Sequence, residues 1–202
     1  MKKVARIPLT FVALMWLIHI FQVVSGIDLG SLGIHPRDWH TITGIITSPL
    51  IHGSWEHLLS NTFPLLLLAL LLFLTYDEIA ATVWTLNYLF TGLLVWLFAR
   101  DAYHIGASGI IYGLASFLLF SGFFRMDIKA IAISSGVAIF YGGMVWGILP
   151  LQPGVSWESH LLGGIVGFIL AFVFRNKQKD AVIDLHENEI TSRKTFDDFL
   201  KK

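Results

Sequence analysis

Six long apolar runs, separated by short polar joints, restrict this chain to a fold built inside a membrane. They lie at residues 7–24, 58–75, 79–98, 105–124 and 128–148, with a shorter one at 159–174, and no Asp, Glu, Lys or Arg falls in their interiors. The hydrocarbon core of a bilayer is crossed by roughly 20 apolar residues in a helix, and a helix satisfies all its backbone groups where no water can. Composition agrees: 55% of residues are hydrophobic and 14% charged, with mean hydropathy +0.69, far from the profile of a soluble domain. The expected architecture is an all-α membrane protein, a six-helix bundle over residues 1–176, followed by a polar cytoplasmic tail at 177–202.

Charge at the run ends sets an expected orientation. Lys2, Lys3, Arg6, Arg125, Lys129, Arg175, Lys177 and Lys179 fall at one end of the spans and Arg37 and Arg100 at the other. The positive-inside bias therefore puts both termini in the cytoplasm. The basic flank, first apolar run and Ser25-Gly26 also fit a signal peptide, and either reading leaves the later spans oriented the same way. A short chain of this kind is expected in a bacterial plasma membrane. Formal net charge is zero and no basic run is interleaved with aromatics, so no nucleic-acid partner is implied. The absence of cysteine removes disulfides and thiol nucleophiles. Residues 27–56 form a long mixed connection, of a length that is usually functional or partly embedded.

Polar residues inside apolar spans are costly and mark sites. The fourth span opens His104-Ile-Gly106-Ala-Ser108-Gly109-Ile-Ile-Tyr112-Gly113, which puts Ser108 in the first turn of a helix. There its N–H lacks an intrahelical acceptor and the dipole is positive, a setting that suits a nucleophile whose attack creates an oxyanion. Gly109 and Gly113 also read as a small-residue helix contact.

The sixth run opens Ser159-His160-Leu-Leu-Gly163-Gly164-Ile-Val-Gly167. At about 100° per residue the three glycines fall within about 60° of His160, so the face carrying the imidazole is otherwise bare backbone and can approach a neighbour closely. The fourth and sixth spans run in the same direction. If the Gly109-Gly113 region is that neighbour, His160 reaches Ser108 as its general base. In the second span His57 and Asn61 stand one turn apart on one face. Their donors suit an oxyanion beside the Ser108 N–H, while Asn61 alone also reads as a helix-to-helix tie.

Taken together, His57-x-x-x-Asn61, Gly106-Ala-Ser108-Gly109 with Tyr112, and His160-x-x-Gly163-x-x-x-Gly167 resemble the rhomboid intramembrane serine proteases, over about residues 52–174. The resemblance implies Ser108 as nucleophile, His160 as general base, and His57, Asn61 and the Ser108 N–H as the oxyanion site. It further implies Tyr112 as the ring under the base and His52 as a supporting histidine. Two departures stand out: the family's Trp-Arg pair is replaced by Trp39-His40, and Ser159 occupies the place of an alanine. No carboxylate completes a triad, and Glu158 points to another side of its helix than His160.

The resemblance implies a serine endopeptidase that cleaves single-span membrane proteins near the outer membrane face, needs no metal or other cofactor, and meets its substrates in the lipid bilayer. Three alternatives frame the expectation. They are a metallohydrolase using His52, His57, His104 and His160, a catalytically inactive rhomboid-like protein that binds membrane segments, and a small transporter. The polar cluster of His52, His57, His104, Asn61 and Ser108 is expected to form a wet pocket. Gly136, Gly142 and Gly143 make the fifth span, by family analogy, the candidate for a mobile wall.

Overall fold

The computed structural model describes residues 6–177; the terminal charges Lys2, Lys3 and Lys179 and nearly all of the tail lie outside them. The described chain is helical, with one isolated bridge between Ile34 and His104. The helices are α1 (Arg6–Ser25), the single turn α2 (Gly44–Thr47), α3 (Trp55–Thr75), α4 (Asp77–Phe98), α5 (Ser108–Arg125), α6 (Ile128–Tyr141) and α7 (Trp157–Val173). Four helices, α1, α3, α4 and α5, and the stretch Ile128–Ile148 are long and apolar enough to cross a membrane, and α7 is a shorter apolar helix of 17 residues. Large side chains such as Leu17, Phe63, Phe98, Phe123, Phe140 and Val173 point outward. So extensive an exposed apolar surface fits hydrocarbon rather than water.

Helix α5 is the hub, packing against α3, α4, α6 and α7. Leu65, Leu68 and Leu72 of α3, Val83 of α4, Leu114, Phe117 and Leu118 of α5 and Leu170 of α7 form one core around it. Local chemistry sets the boundaries. Ser54 caps α3 by accepting from the His57 N–H at 3.1 Å, and Asp127 caps α6 through the Ala130 N–H. Between α5 and α6 the chain reverses through Met126 in the left-handed region. At this end Arg125, buried, donates to the Phe174 carbonyl at 2.8 Å and lies 4.7 Å over the Tyr76 ring. A cation over an aromatic face is stabilised there, so the α3–α4 turn, α5 and α7 are tied together opposite the Ser108 end.

Two stretches differ from the sequence expectation. The fifth apolar run is not one α-helix: it turns to a 3-10 helix at Gly142–Ile148. Two adjacent glycines weaken the α-helix there, and the Met144 and Gly147 carbonyls accept from side chains instead. The fourth run becomes helical only at Ser108, because Gly106 takes φ +99° and His104 is paired with Ile34. The connection 27–56 is a chain of short helical turns pinned to the end of α4. Arg37 donates to the Ala99 carbonyl, its N–H to the Trp96 carbonyl, and the Trp96 indole to the Asp38 carbonyl. Helix α1 packs on α3, with Trp16 donating to Thr62.

Candidate active site

The site begins with a turn that only glycine can make. Gly106 has φ +99°, and a Cβ there would stand 2.6 Å from His57 Nε2, so both backbone strain and space exclude a side chain. Its N–H donates to the Ser48 carbonyl at 2.8 Å. Two residues on, Ser108 is the first residue of α5, half-buried, with its N–H free of the helix ladder.

Helix α7 comes to α5 through missing side chains. A Cβ on Gly163 would lie 2.1 Å from the Gly109 carbonyl oxygen, and one on Gly167 would lie 2.0 Å from that of Gly113. Gly164 has nothing within 4 Å and lies off this seam, although its carbonyl accepts from Ser116. On its other side α5 is pressed by α4, since Cβ atoms on Gly109 and Gly113 would meet Thr91 and Asn87.

This contact brings His160 Nε2 to 2.8 Å from Ser108 Oγ. The other ring nitrogen, Nδ1, lies 2.8 Å from the Gly147 carbonyl oxygen. A carbonyl can only accept, so Nδ1 carries the proton and the Nε2 lone pair of the neutral ring faces the serine hydroxyl. Tyr112 stacks beneath the imidazole with centroids 4.1 Å apart and planes 5° from parallel, and its hydroxyl donates to the Met144 carbonyl at 2.8 Å. His160 is thus fixed in position and tautomer, buried, and hydrogen-bonded to a hydroxyl at a helix N-terminus. That arrangement can remove a proton from Ser108.

From α3, the His57 ring stands against Gly106. Asn61 is buried and donates Nδ2 to the His57 carbonyl at 2.7 Å, which leaves one amide N–H. His52 is fully buried, its ring 4.9 Å from that of His57. Its backbone carbonyl accepts from His19 Nδ1 and Gln22 of α1. Burial, reinforced by His57, lowers the His52 pKa to about 3, so this ring is neutral at neutral pH.

His104 does not join His52 and His57. Its Nε2 lies 3.1 Å from the Arg100 carbonyl and its Nδ1 2.6 Å from Ser156 Oγ, because pairing with Ile34 turns the ring towards the start of α7. Burial lowers its pKa as well. Among the described residues no three His, Asp or Glu side chains converge to hold a metal. Glu158 faces away from His160 and forms an ion pair with Arg100 at 3.0 Å. The sequence carried no signal for the Met144 and Gly147 carbonyls, since any residue type supplies one.

Comparison with known proteins shows the family. The family model of the Rhomboid domain matches residues 39–177, more than half of the chain. An uncharacterised protein of Mycobacterium tuberculosis is 36% identical over 184 residues, covering 86% of this chain and 76% of its own length. One of Mycobacterium leprae is 34% identical over 181 residues, covering 82% and 69%. The Rhomboid-like protein 11, chloroplastic, of Arabidopsis thaliana is 31% identical over 177 residues, covering 77% of this chain and 59% of that relative. With its multi-pass helical core and the extent of these matches, the chain belongs to the rhomboid family.

Proposed function

We propose that this protein is an intramembrane serine endopeptidase, with Ser108 as nucleophile and His160 as general base. The observation that carries the reading is the 2.8 Å contact between Ser108 Oγ and a His160 Nε2 whose lone pair is directed by the Gly147 carbonyl. Ser108 Oγ attacks the scissile carbonyl carbon as its proton passes to His160 Nε2. The oxyanion is received by the Ser108 N–H with His57 and the remaining Asn61 N–H. The imidazolium then protonates the departing amine, leaving an acyl-enzyme on Ser108. Water attacks this ester, gives its proton to His160, and the acid leaves with the serine restored. A small cleft lined by Ser48, Thr91, His104, Gly106 and Ser159 together with Ile34, Val95 and Ile110 adjoins the Ser108 turn.

The substrates are single-span membrane proteins. A peptide bond in an intact helix is shielded by its hydrogen bonds, and Ser108 lies at the very start of its span, so the substrate helix must unwind near the membrane face. Arg125, Lys129, Arg175 and Lys177 cluster at the opposite end of the bundle from Ser108. By the positive-inside bias that end is cytoplasmic and the site opens outward, in a bacterial plasma membrane.

Labelling with a fluorophosphonate probe tests the assignment. Wild-type protein is expected to label at Ser108 and to cleave a single-span substrate, and Ser108→Ala and His160→Ala are each expected to lose both. Since the two groups act as a unit, the double variant should be hardly worse than either single one. Robust turnover by purified Ser108→Ala sinks the reading. An unlabelled wild type that still binds membrane segments favours an inactive rhomboid-like binder.

A further inference from the structure

Around the start of α7 the polar groups are arranged in a way that helix formation alone does not explain. Ser156 stands at the N-cap, a position where serine ordinarily accepts from the N2 or N3 amide, yet it makes no such bond. Its hydroxyl lies 2.6 Å from His104 Nδ1 and 2.6 Å from Ser159 Oγ. His104 Nε2 donates to the Arg100 carbonyl, so Nδ1 of the neutral ring is an acceptor and the Ser156 hydroxyl donates a hydrogen bond to it. Ser159 then donates to Ser156. The Arg100 guanidinium completes the circuit: Nη1 contacts both Glu158 oxygens at 3.2 and 3.0 Å, and Nη2 donates to the Val155 carbonyl at 2.9 Å. Glu158 is buried, with 7% of its side chain exposed against 43% for Arg100.

This circuit spans the two segments that must agree for the site to work. Arg100 and His104 lie on the link that leads from α4 into Ser108, while Glu158 and Ser159 immediately precede His160. The glycine seam lets α5 and α7 touch. It does not by itself stop α7 from sliding along the smooth backbone surface that the glycines leave. The carboxylate is held by Nη1 and, at 3.4 Å, by the Arg100 backbone N–H, while Nη2 is held by the Val155 carbonyl, and such charge-assisted contacts from both segments resist a slide.

We propose that Arg100 and Glu158 are positioning residues of the Ser108–His160 pair, their ion pair fixing the height of α7 against the Ser108 turn, with His104 and Ser156 as a second tie. The proposal rests on the protease reading for its kinetic consequence. Removing Arg100 leaves a buried carboxylate without its counter-charge, whereas removing Glu158 leaves a half-exposed guanidinium. Stranding the buried carboxylate is therefore the harsher change, and removing both partners relieves it.

The test compares wild type with Arg100→Gln, Glu158→Gln, the double variant and Arg100→Lys, reading kcat and KM on a single-span substrate and amide hydrogen exchange at residues 157–162. Arg100→Gln is expected to lower kcat by roughly 10- to 100-fold, the range for a misplacement of up to about 1 Å, with KM little changed and exchange faster. Glu158→Gln should be milder, the double variant better than Arg100→Gln, and Arg100→Lys partly restored. Wild-type kcat in Arg100→Gln overturns the proposal while leaving the protease reading in place. Loss confined to KM or to thermal stability, with kcat of the folded fraction intact, also overturns it. A wild type that neither cleaves nor labels removes the protease reading, and hydrogen exchange then decides the tie alone: faster exchange in Arg100→Gln supports it and unchanged exchange overturns it.

Discussion

Gly163→Ala puts a single methyl group into the α5–α7 seam, and its effect can be worked from the coordinates. The new Cβ would start 2.1 Å from the Gly109 carbonyl oxygen, and ordinary contact begins at 3.4 Å, so the helices must part by about 1.3 Å. The obstacle is backbone on both sides, with no rotamer to give way. His160 is three residues from Gly163, less than one turn, and a displacement of that size carries the 2.8 Å Nε2–Oγ contact beyond hydrogen-bonding distance. A shift of about 1 Å at the reacting groups costs on the order of 10²-fold in rate, and overpacking a filled contact costs about 1–3 kcal/mol of stability. The assay is kcat on a single-span substrate and the labelling rate at Ser108, alongside thermal unfolding of the detergent-purified protein. Gly164→Ala, one residue away with nothing within 4 Å, is the control and should keep near-wild-type rates. If Gly163→Ala cleaves normally, or if Gly164→Ala is the impaired one, the close approach through Gly163 is not what sets the pair.

Because the fold holds His52 near pKa 3 while an unfolded chain releases its proton near 6.5, the folded state takes up fewer protons as pH falls. Stability conferred by this site is therefore complete above pH 6.5 and declines towards pH 3, by up to about 1.4 kcal/mol per pH unit. A thermal midpoint that falls between pH 7 and 4 as steeply in His52→Gln as in wild type would contradict this. Asn61→Ala and His57→Ala should each slow turnover by less than the 10²–10³-fold typical for losing one oxyanion donor, since other donors remain, and should affect probe binding less; unchanged turnover in both removes them from the site. Reporters fused after Lys177 and in the loop at Gln152 should read opposite sides of the membrane, with Lys177 cytoplasmic. Replacing Gly or Pro near the cleavage site of a substrate by Leu should slow its cleavage, because those residues lower the cost of unwinding by about 1 and 3 kcal/mol relative to alanine; an unchanged rate would mean that unwinding does not select substrates.

Much of the bundle could be read from the chain because lipid imposes so simple a rule. A span must be long, apolar and helical, and the described chain is helical, with five stretches long and apolar enough to cross a membrane. The meeting of α5 and α7 was legible for a related reason, since Gly163 and Gly167 can serve close packing only if a neighbour comes to them. What the chain concealed was of another kind. The acceptors at Gly147 and Met144 are main-chain atoms, and the Arg100–Glu158 and His104–Ser156 ties depend on how the connection after α4 folds against α7. The α-to-3-10 change at Gly142 was equally hidden, because hydropathy is blind to helix type. Helical spacing turns Glu158 to another side of its helix than His160, but nothing in the sequence indicates that it pairs with Arg100.

The seat of the His160 ring has one more consequence. Its Nδ1 and the Tyr112 hydroxyl beneath it are both anchored to carbonyls of residues 144–147, part of the stretch that buries least of itself in the bundle. A Cβ on Gly147 would fall 1.9 Å from the Tyr112 hydroxyl, so this strand of backbone is fitted closely to the two rings. An outward shift of the 142–148 segment would therefore withdraw the acceptor that selects the imidazole tautomer, tying the geometry of the base to the least buried part of the bundle.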